Sequence, residues 1–150
     1  MRTILIAVAA VLAAASAVAS EQTDVIAPVQ QFIDATNKGD TKAALATCAD
    51  PTSILDEFPP HAWQGATACS DWVKDFEAYN KQNGITEPIA TLGKPTHVDI
   101  TGDRAYVVIP ASFTFKQNGK QVTESGSIMA AALHKGATGW RMTAWSWAKH

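Results

Sequence analysis

Two acids and a histidine stand close together in the stretch SILDEFPPHAWQG, residues 53–65, and they are well suited to proton transfer. On an extended backbone Ile54, Asp56 and Phe58 point to one side, and Leu55 and Glu57 to the other. A carboxylate between two apolar neighbours on one face is either exposed at a strand edge or held in a partly dry pocket. In the second case desolvation disfavours the charged form and lifts the carboxyl above its free value of about 3.9. His61, with a free pKa of about 6.5, could give or take a proton. Directly behind Pro59 and Pro60, however, a solvated loop is the ordinary setting for it.

Other reactive patterns are missing. His97 and His134 fall on or beside separate strands and His150 ends the chain, so no pair has the i, i+4 spacing of a helical metal site. Cys48 and Cys69 have no CxxC or HxxxH partner set. Ser53 and Ser125 lack a G-x-S-x-G setting, which leaves a hydrolase triad unsupported. Neither a metal nor a cofactor is expected. The net charge of −2 comes with no basic stripe, which argues against nucleic acid as a partner.

The chain opens MRTILIAVAAVLAAASAVAS. One arginine, an apolar run from Ile4 to about Ala15 and an A-x-A exit at Ala17–Ala19 read as a secretory signal peptide, residues 1–19, cut after Ala19. A membrane anchor would need roughly 18 or more apolar residues and a polar stop, so no membrane attachment is expected after cleavage. The remaining 20–150 make one domain, periplasmic or secreted, long enough for a single core. Two cysteines in an exported chain favour one disulfide, Cys48–Cys69, over two buried thiols.

Elements to position these groups follow from periodicity. From Thr23, with Asp24 as cap, Val25, Val29, Phe32, Ile33 and Thr36 recur on one helical face, and Gly39 ends it. Asp40 caps a second helix from Lys42 to Cys48, closed by Pro51. A short strand then runs to Pro59 and Pro60, which lack a ladder N–H. A third helix lies between Gly65 and Gly84, with Cys69, Trp72, Val73, Phe76 and Tyr79 or Asn80 on its buried face. Everything after is strand: Thr91–Ile100, a turn at Thr101–Asp103, the segment from Arg104, an Asn118-Gly119 hairpin, and a last strand GWRMTAWSWAKH. Pro110 predicts a bulge or bend. Helices segregated from a four-stranded antiparallel meander, with the short first strand set apart, mean α+β.

This order, with Asn37-Lys38-Gly39-Asp40, the acidic strand, Trp63-Gln64-Gly65 and the closing GWRMTAW, resembles the nuclear transport factor 2-like superfamily, including its SnoaL-like and ketosteroid isomerase-like members. The resemblance spans about Asp24 to Ala148. It implies a cone-shaped α+β barrel, three helices packed in a strongly curved antiparallel sheet with a pocket at the wide end. It also implies pairing through the outer sheet face, hence a homodimer. Members include isomerases, cyclases, dehydratases and binding subunits, so fold alone leaves the chemistry open.

In the isomerase branch the general base lies where this chain has Asp56, nine residues before Gly65. The place of the oxyanion-binding tyrosine is held by Phe32, which has no donor, and no acid stands among Ser127, Ile128, Met129 and Ala130 where the second should be. Steroid isomerase activity is therefore not expected. Three readings stay open. The leading one is a pocket binding a small, mostly apolar molecule, with Asp56, His61 and Trp63 at its mouth and Phe32, Phe58, Tyr106, Trp145 and Trp147 as further ligand-binding side chains. The second is an acid/base enzyme, an isomerase, dehydratase or cyclase, with Asp56 as base and His61 or Tyr106 as acid. The third is a dimerisation or partner-binding module with a vestigial pocket. Trp145 and Trp147 share one strand face and suit either a pocket or a dimer surface.

Overall fold

A computed structural model describes residues 5–149, with side chains from Ala19 onward. The side chains of residues 1–18 of the expected signal segment therefore lie outside the described residues. The first helix, α1 (Leu5–Asn37), carries Val25, Val29, Phe32 and Ile33 on its buried face. It does not start at Asp24: the helix continues through Thr23 and Asp24 from the alanine-rich segment upstream, whose composition favours helix. It ends where Gly39 turns left-handed at φ 68°, and Asp40 N–H closes the end on the Ala35 carbonyl. Asp40 then caps α2 (Thr41–Leu45) by accepting from the Ala43 N–H.

α2 is shorter than the apolar pattern implied, because Cys48 already begins β1 (Cys48–Leu55). Pro51 lies inside that strand rather than ending a helix. It sits where the pairing register shifts between Cys48 and Ser53, an irregularity that tolerates a residue without a ladder N–H. β2 (Ala62–Gly65) folds back on β1, and α3 (Ala68–Gln82) follows, burying Cys69, Trp72, Val73 and Asn80.

The remaining strands are β3 (Ile85–Leu92), β4 (His97–Thr101), β5 (Arg104–Gln117), β6 (Lys120–Gly136) and β7 (Gly139–Ala148). The expected single strand Thr91–Ile100 is thus two, separated at Gly93–Thr96. Asn118 and Gly119, both at positive φ, make the β5–β6 hairpin turn as the Asn-Gly pair requires. The sheet has seven strands in the order β2-β1-β7-β6-β5-β3, with β4 also on β5. The first strand is not set apart: β1 pairs with β7 in parallel, with Ile54 opposite Trp145. The sheet is therefore mixed rather than purely antiparallel.

Register shifts between Ala111 and Phe113 and between Ala132 and Leu133 bend the two longest strands around the helices. The first falls beside Pro110, where a bend was expected. Val107, Ile109, Met129, Leu133 and Met142 on the concave face close the core against α1 and α3.

Cys48 and Cys69 are joined by a disulfide across 21 residues, tying the start of β1 to the first turn of α3. Closing a loop of that length removes freedom from the unfolded chain worth about 3 kcal/mol in the loop-entropy picture. Reduction, or the Cys48→Ala/Cys69→Ala double variant, should lower the unfolding free energy by about that amount. Urea unfolding with and without reductant measures it, and equal midpoints would show that the bond constrains nothing.

Candidate functional site

Asp56 is the first residue beyond β1, in the loop that turns into β2. That loop closes on itself: Asp56 N–H donates to the His61 carbonyl at 3.0 Å and His61 N–H to the Phe58 carbonyl at 2.9 Å. His61 takes φ 71° to do so, a left-handed geometry for a non-glycine residue. The Asp56 carboxylate is then held by two donors, the Glu57 backbone N–H on Oδ1 at 2.7 Å and the Trp72 indole N–H on Oδ2 at 2.9 Å. Burial outweighs both and lifts the carboxyl from 3.8 to about 6, with the neighbouring Glu57 charge adding to the rise and His61 opposing it.

The carboxylate lies in the wall of a cavity of about 310 Å³ inside the cone. Its walls are aromatic: Phe32 from α1, Trp72 and Phe76 from α3, Phe113 from β5, and Trp145 and Trp147 from β7. Trp72 stacks on Phe76 with ring centroids 5.1 Å apart and meets Trp145 edge-on at 4.9 Å. Asn37 fixes another part of the wall, exchanging two hydrogen bonds with the Ala90 backbone at 2.8 and 2.9 Å and so tying α1 to β3. The charged lining is a cluster in which Lys149 Nζ bridges Glu57 at 3.0 Å and Glu124 at 2.8 Å. Among the described residues, no group of three His, Cys, Asp or Glu side chains is placed to hold a metal.

Of the side chains singled out by sequence, Asp56, Phe32, Phe58, Trp145 and Trp147 come together on this cavity. Three do not. His61 is exposed, its ring Nδ1 lying 3.2 Å from the Asp56 carbonyl rather than from the carboxylate. Trp63 is buried away from the cavity lining: its indole N–H donates to Asp75 at 2.9 Å and its ring packs on Phe58. Tyr106 is 46% exposed on the opposite sheet face, since its neighbours Ala105 and Val107 take the inward positions of the strand alternation.

Trp72, Asn80, Glu124 and Lys149 are lining residues that sequence reading missed. Helical spacing does place Trp72 in the core, and it is buried; only its N–H, which needs a partner when desolvated, hinted at a polar neighbour. Phe32 stands in the cavity wall, where it offers no hydrogen-bond donor. Met129 of β6 also lines it and Ser127 is buried, so the stretch Ser127–Ala130 brings no acid to the cavity; the acid that β6 does bring is Glu124.

Because the folded carboxyl binds its proton more tightly than the unfolded one, stability should fall as pH rises from 3.8 to about 6 and level off above. The gap between those values corresponds to roughly 3 kcal/mol. Asp56→Asn should abolish this step in the pH profile of unfolding, and an NMR titration of the Asp56 carboxyl carbon should give a midpoint of about 6. Trp72→Phe removes a donor to the charged form, so the midpoint should move higher still. A wild-type midpoint at or below about 4 would mean that the acid is solvated.

No protein-family model matches the chain, and no curated protein matches it in sequence. Solved structures do resemble it. A nuclear transport factor 2-like protein with a cystatin-like fold from Novosphingobium aromaticivorans is 16% identical, with TM-score 0.73 over 92% of this chain and 87% of that one. A ketosteroid isomerase-like protein from Erwinia carotovora atroseptica is 20% identical, with TM-score 0.67 over 86% and 95%. A nuclear transport factor 2-like superfamily protein from Salmonella enterica is 15% identical, with TM-score 0.72 over 88% and 92%. With its helices held in a curled seven-stranded sheet around a cavity, the chain has the fold of the nuclear transport factor 2-like superfamily.

Proposed function

We propose that this protein binds a small, mostly apolar molecule inside the cone, with Asp56 as the polar anchor. The observation that carries this reading is the aromatic-walled cavity of about 310 Å³ with a partly buried carboxylate in its lining. Ligand pockets start at about 300 Å³ and combine apolar walls with a few placed polar groups. A vestigial pocket would instead be filled by its own side chains.

A second reading, an acid/base enzyme, is favoured by the pKa of Asp56. At about 6 the group is still mainly ionised at neutral pH, yet it is more basic than an ordinary carboxylate, as a general base should be. His61 and Tyr106 stand outside the cavity, so the partner acid in this reading is Tyr79 or Lys149, both of which line it.

Export belongs to the same proposal. A disulfide suits an oxidising compartment, and among the described residues no helix is long and apolar enough to cross a membrane. The exported protein should begin at Ser20 by intact mass, and a retained Met1–Ala19 segment would reject the cleavage site. A homodimer through the outer sheet face is supported by Tyr106 and Ile128, two large apolar side chains exposed there.

Native mass spectrometry of protein purified from its exporting host should find a bound small molecule. Ala90 lines the cavity, so Ala90→Leu narrows it and should weaken that binding by about tenfold or more, a change of 1.4 kcal/mol. A folded Ala90→Leu variant that binds as wild type does would place the ligand elsewhere.

A further inference from the structure

We infer, building on the cavity-binding reading, that the molecule taken into the cone is a cationic amine with an apolar body, its ammonium group lying among Asp56, Glu57 and Glu124. The charges of the lining are unequal. Asp56, Glu57 and Glu124 are acids, and Lys149 is the sole base among the lining residues. Lys149 is shared between Glu57 and Glu124 and is half exposed to solvent. It neutralises one charge, so two negative charges remain when all three acids are ionised. In a partly enclosed, low-dielectric space a charge excess is felt more strongly than at an open surface. An anionic guest is repelled by this lining and a cation is drawn in.

The hydrogen-bonding groups point the same way. Asn80 is 8% exposed, and its Oδ1 is a buried acceptor without a partner. Glu124 Oε2 is a second buried acceptor without a donor, and both residues line the cavity. Acceptors left dry and unpaired are costly, and an ammonium brings three N–H donors and no acceptor. The indole N–H of Trp145 is an unpartnered donor in the same lining; it is neutral and leaves the charge excess unchanged. The aromatic walls add to the preference, because the negative face of an indole or phenyl ring attracts a cation, as no aliphatic wall would.

Three probes with one ring system test this: naphthylethylamine, naphthylethanol and naphthylacetate, titrated calorimetrically into the purified protein at neutral pH and low salt. The amine should bind at least about tenfold tighter than the alcohol, and the acetate weakest. Glu124→Gln, at a partly exposed position, and Asp56→Asn should each shrink the amine's advantage over the alcohol. Far-UV circular dichroism and the unfolding midpoint show that each variant is folded, and Glu124→Gln alone suffices should Asp56→Asn fold poorly. An alcohol that equals the amine, or an acetate that binds best, would overturn the cationic preference and leave the cavity reading standing. Absence of heat and of tryptophan fluorescence change with all three probes would overturn both.

Discussion

The arrangement of this molecule depends on the parallel pairing of β1 with β7. Two strands far apart in sequence lie side by side, with Ser53 opposite Ala144 and Ile54 opposite Trp145. The contact is reinforced from both ends of the register shift: the Met142 N–H donates to the Thr47 carbonyl at 2.9 Å, and the buried Thr52 hydroxyl donates to the Met142 carbonyl at 3.2 Å. A parallel pair needs a long crossover, and here the crossover is most of the domain. Once β1 is docked, the loop beyond it must project at the same end as Trp145 and Trp147, which is how Asp56 comes to share a cavity with them. The disulfide acts on the same element, holding the first residue of β1 against α3.

Asp56 is set by opposed forces rather than by any single contact. Burial raises the carboxyl; the Glu57 N–H and the Trp72 indole pull the other way, and the balance falls at about 6. The donor that matters most for identity is Trp72, because it also forms the cavity wall. One side chain thus supplies shape through its stack on Phe76 and electrostatics through its N–H. A carboxylate in this state can hold a hydrogen-bond donor or a cation, or move a proton.

The cavity exists because the two long strands bend. A flat sheet would press its concave-face side chains onto α1 and α3 and fill the space, whereas shifts at Ala111–Phe113 and Ala132–Leu133 swing β5, β6 and β7 around it. Asn37 and its two bonds to Ala90 hold β3 to α1, and Lys149 holds the end of the chain to Glu57 and Glu124. Apolar rings that might have packed against one another are left facing a cavity, at a cost in close packing.

Sequence by itself determined the local elements wherever a residue's own conformational preference decides. Asn118-Gly119 makes its hairpin because both residues tolerate positive φ, Gly39 and Asp40 end one helix and cap the next, and Val25, Val29, Phe32 and Ile33 follow the helical period. The pairing of Cys48 with Cys69 was legible from count and the expected compartment. Part of the site was legible too: Asp56 between Ile54 and Phe58 marks an acid on an apolar face, and Trp145 and Trp147 mark a strand face. Tertiary structure decided the rest. That β1 joins β7 is a long-range pairing that no local pattern encodes. That Tyr106 faces outward and Trp63 is buried follows from register, where a shift of one residue reverses every side chain. Asp56, in the loop after β1, and Trp72, on α3, are 16 residues apart, and Glu124, on β6, and Lys149, just past the end of β7, are 25 apart. Hydrogen bonds and ion pairs act over a few ångströms of space and are blind to separation along the chain, so only the folded molecule brings those partners together.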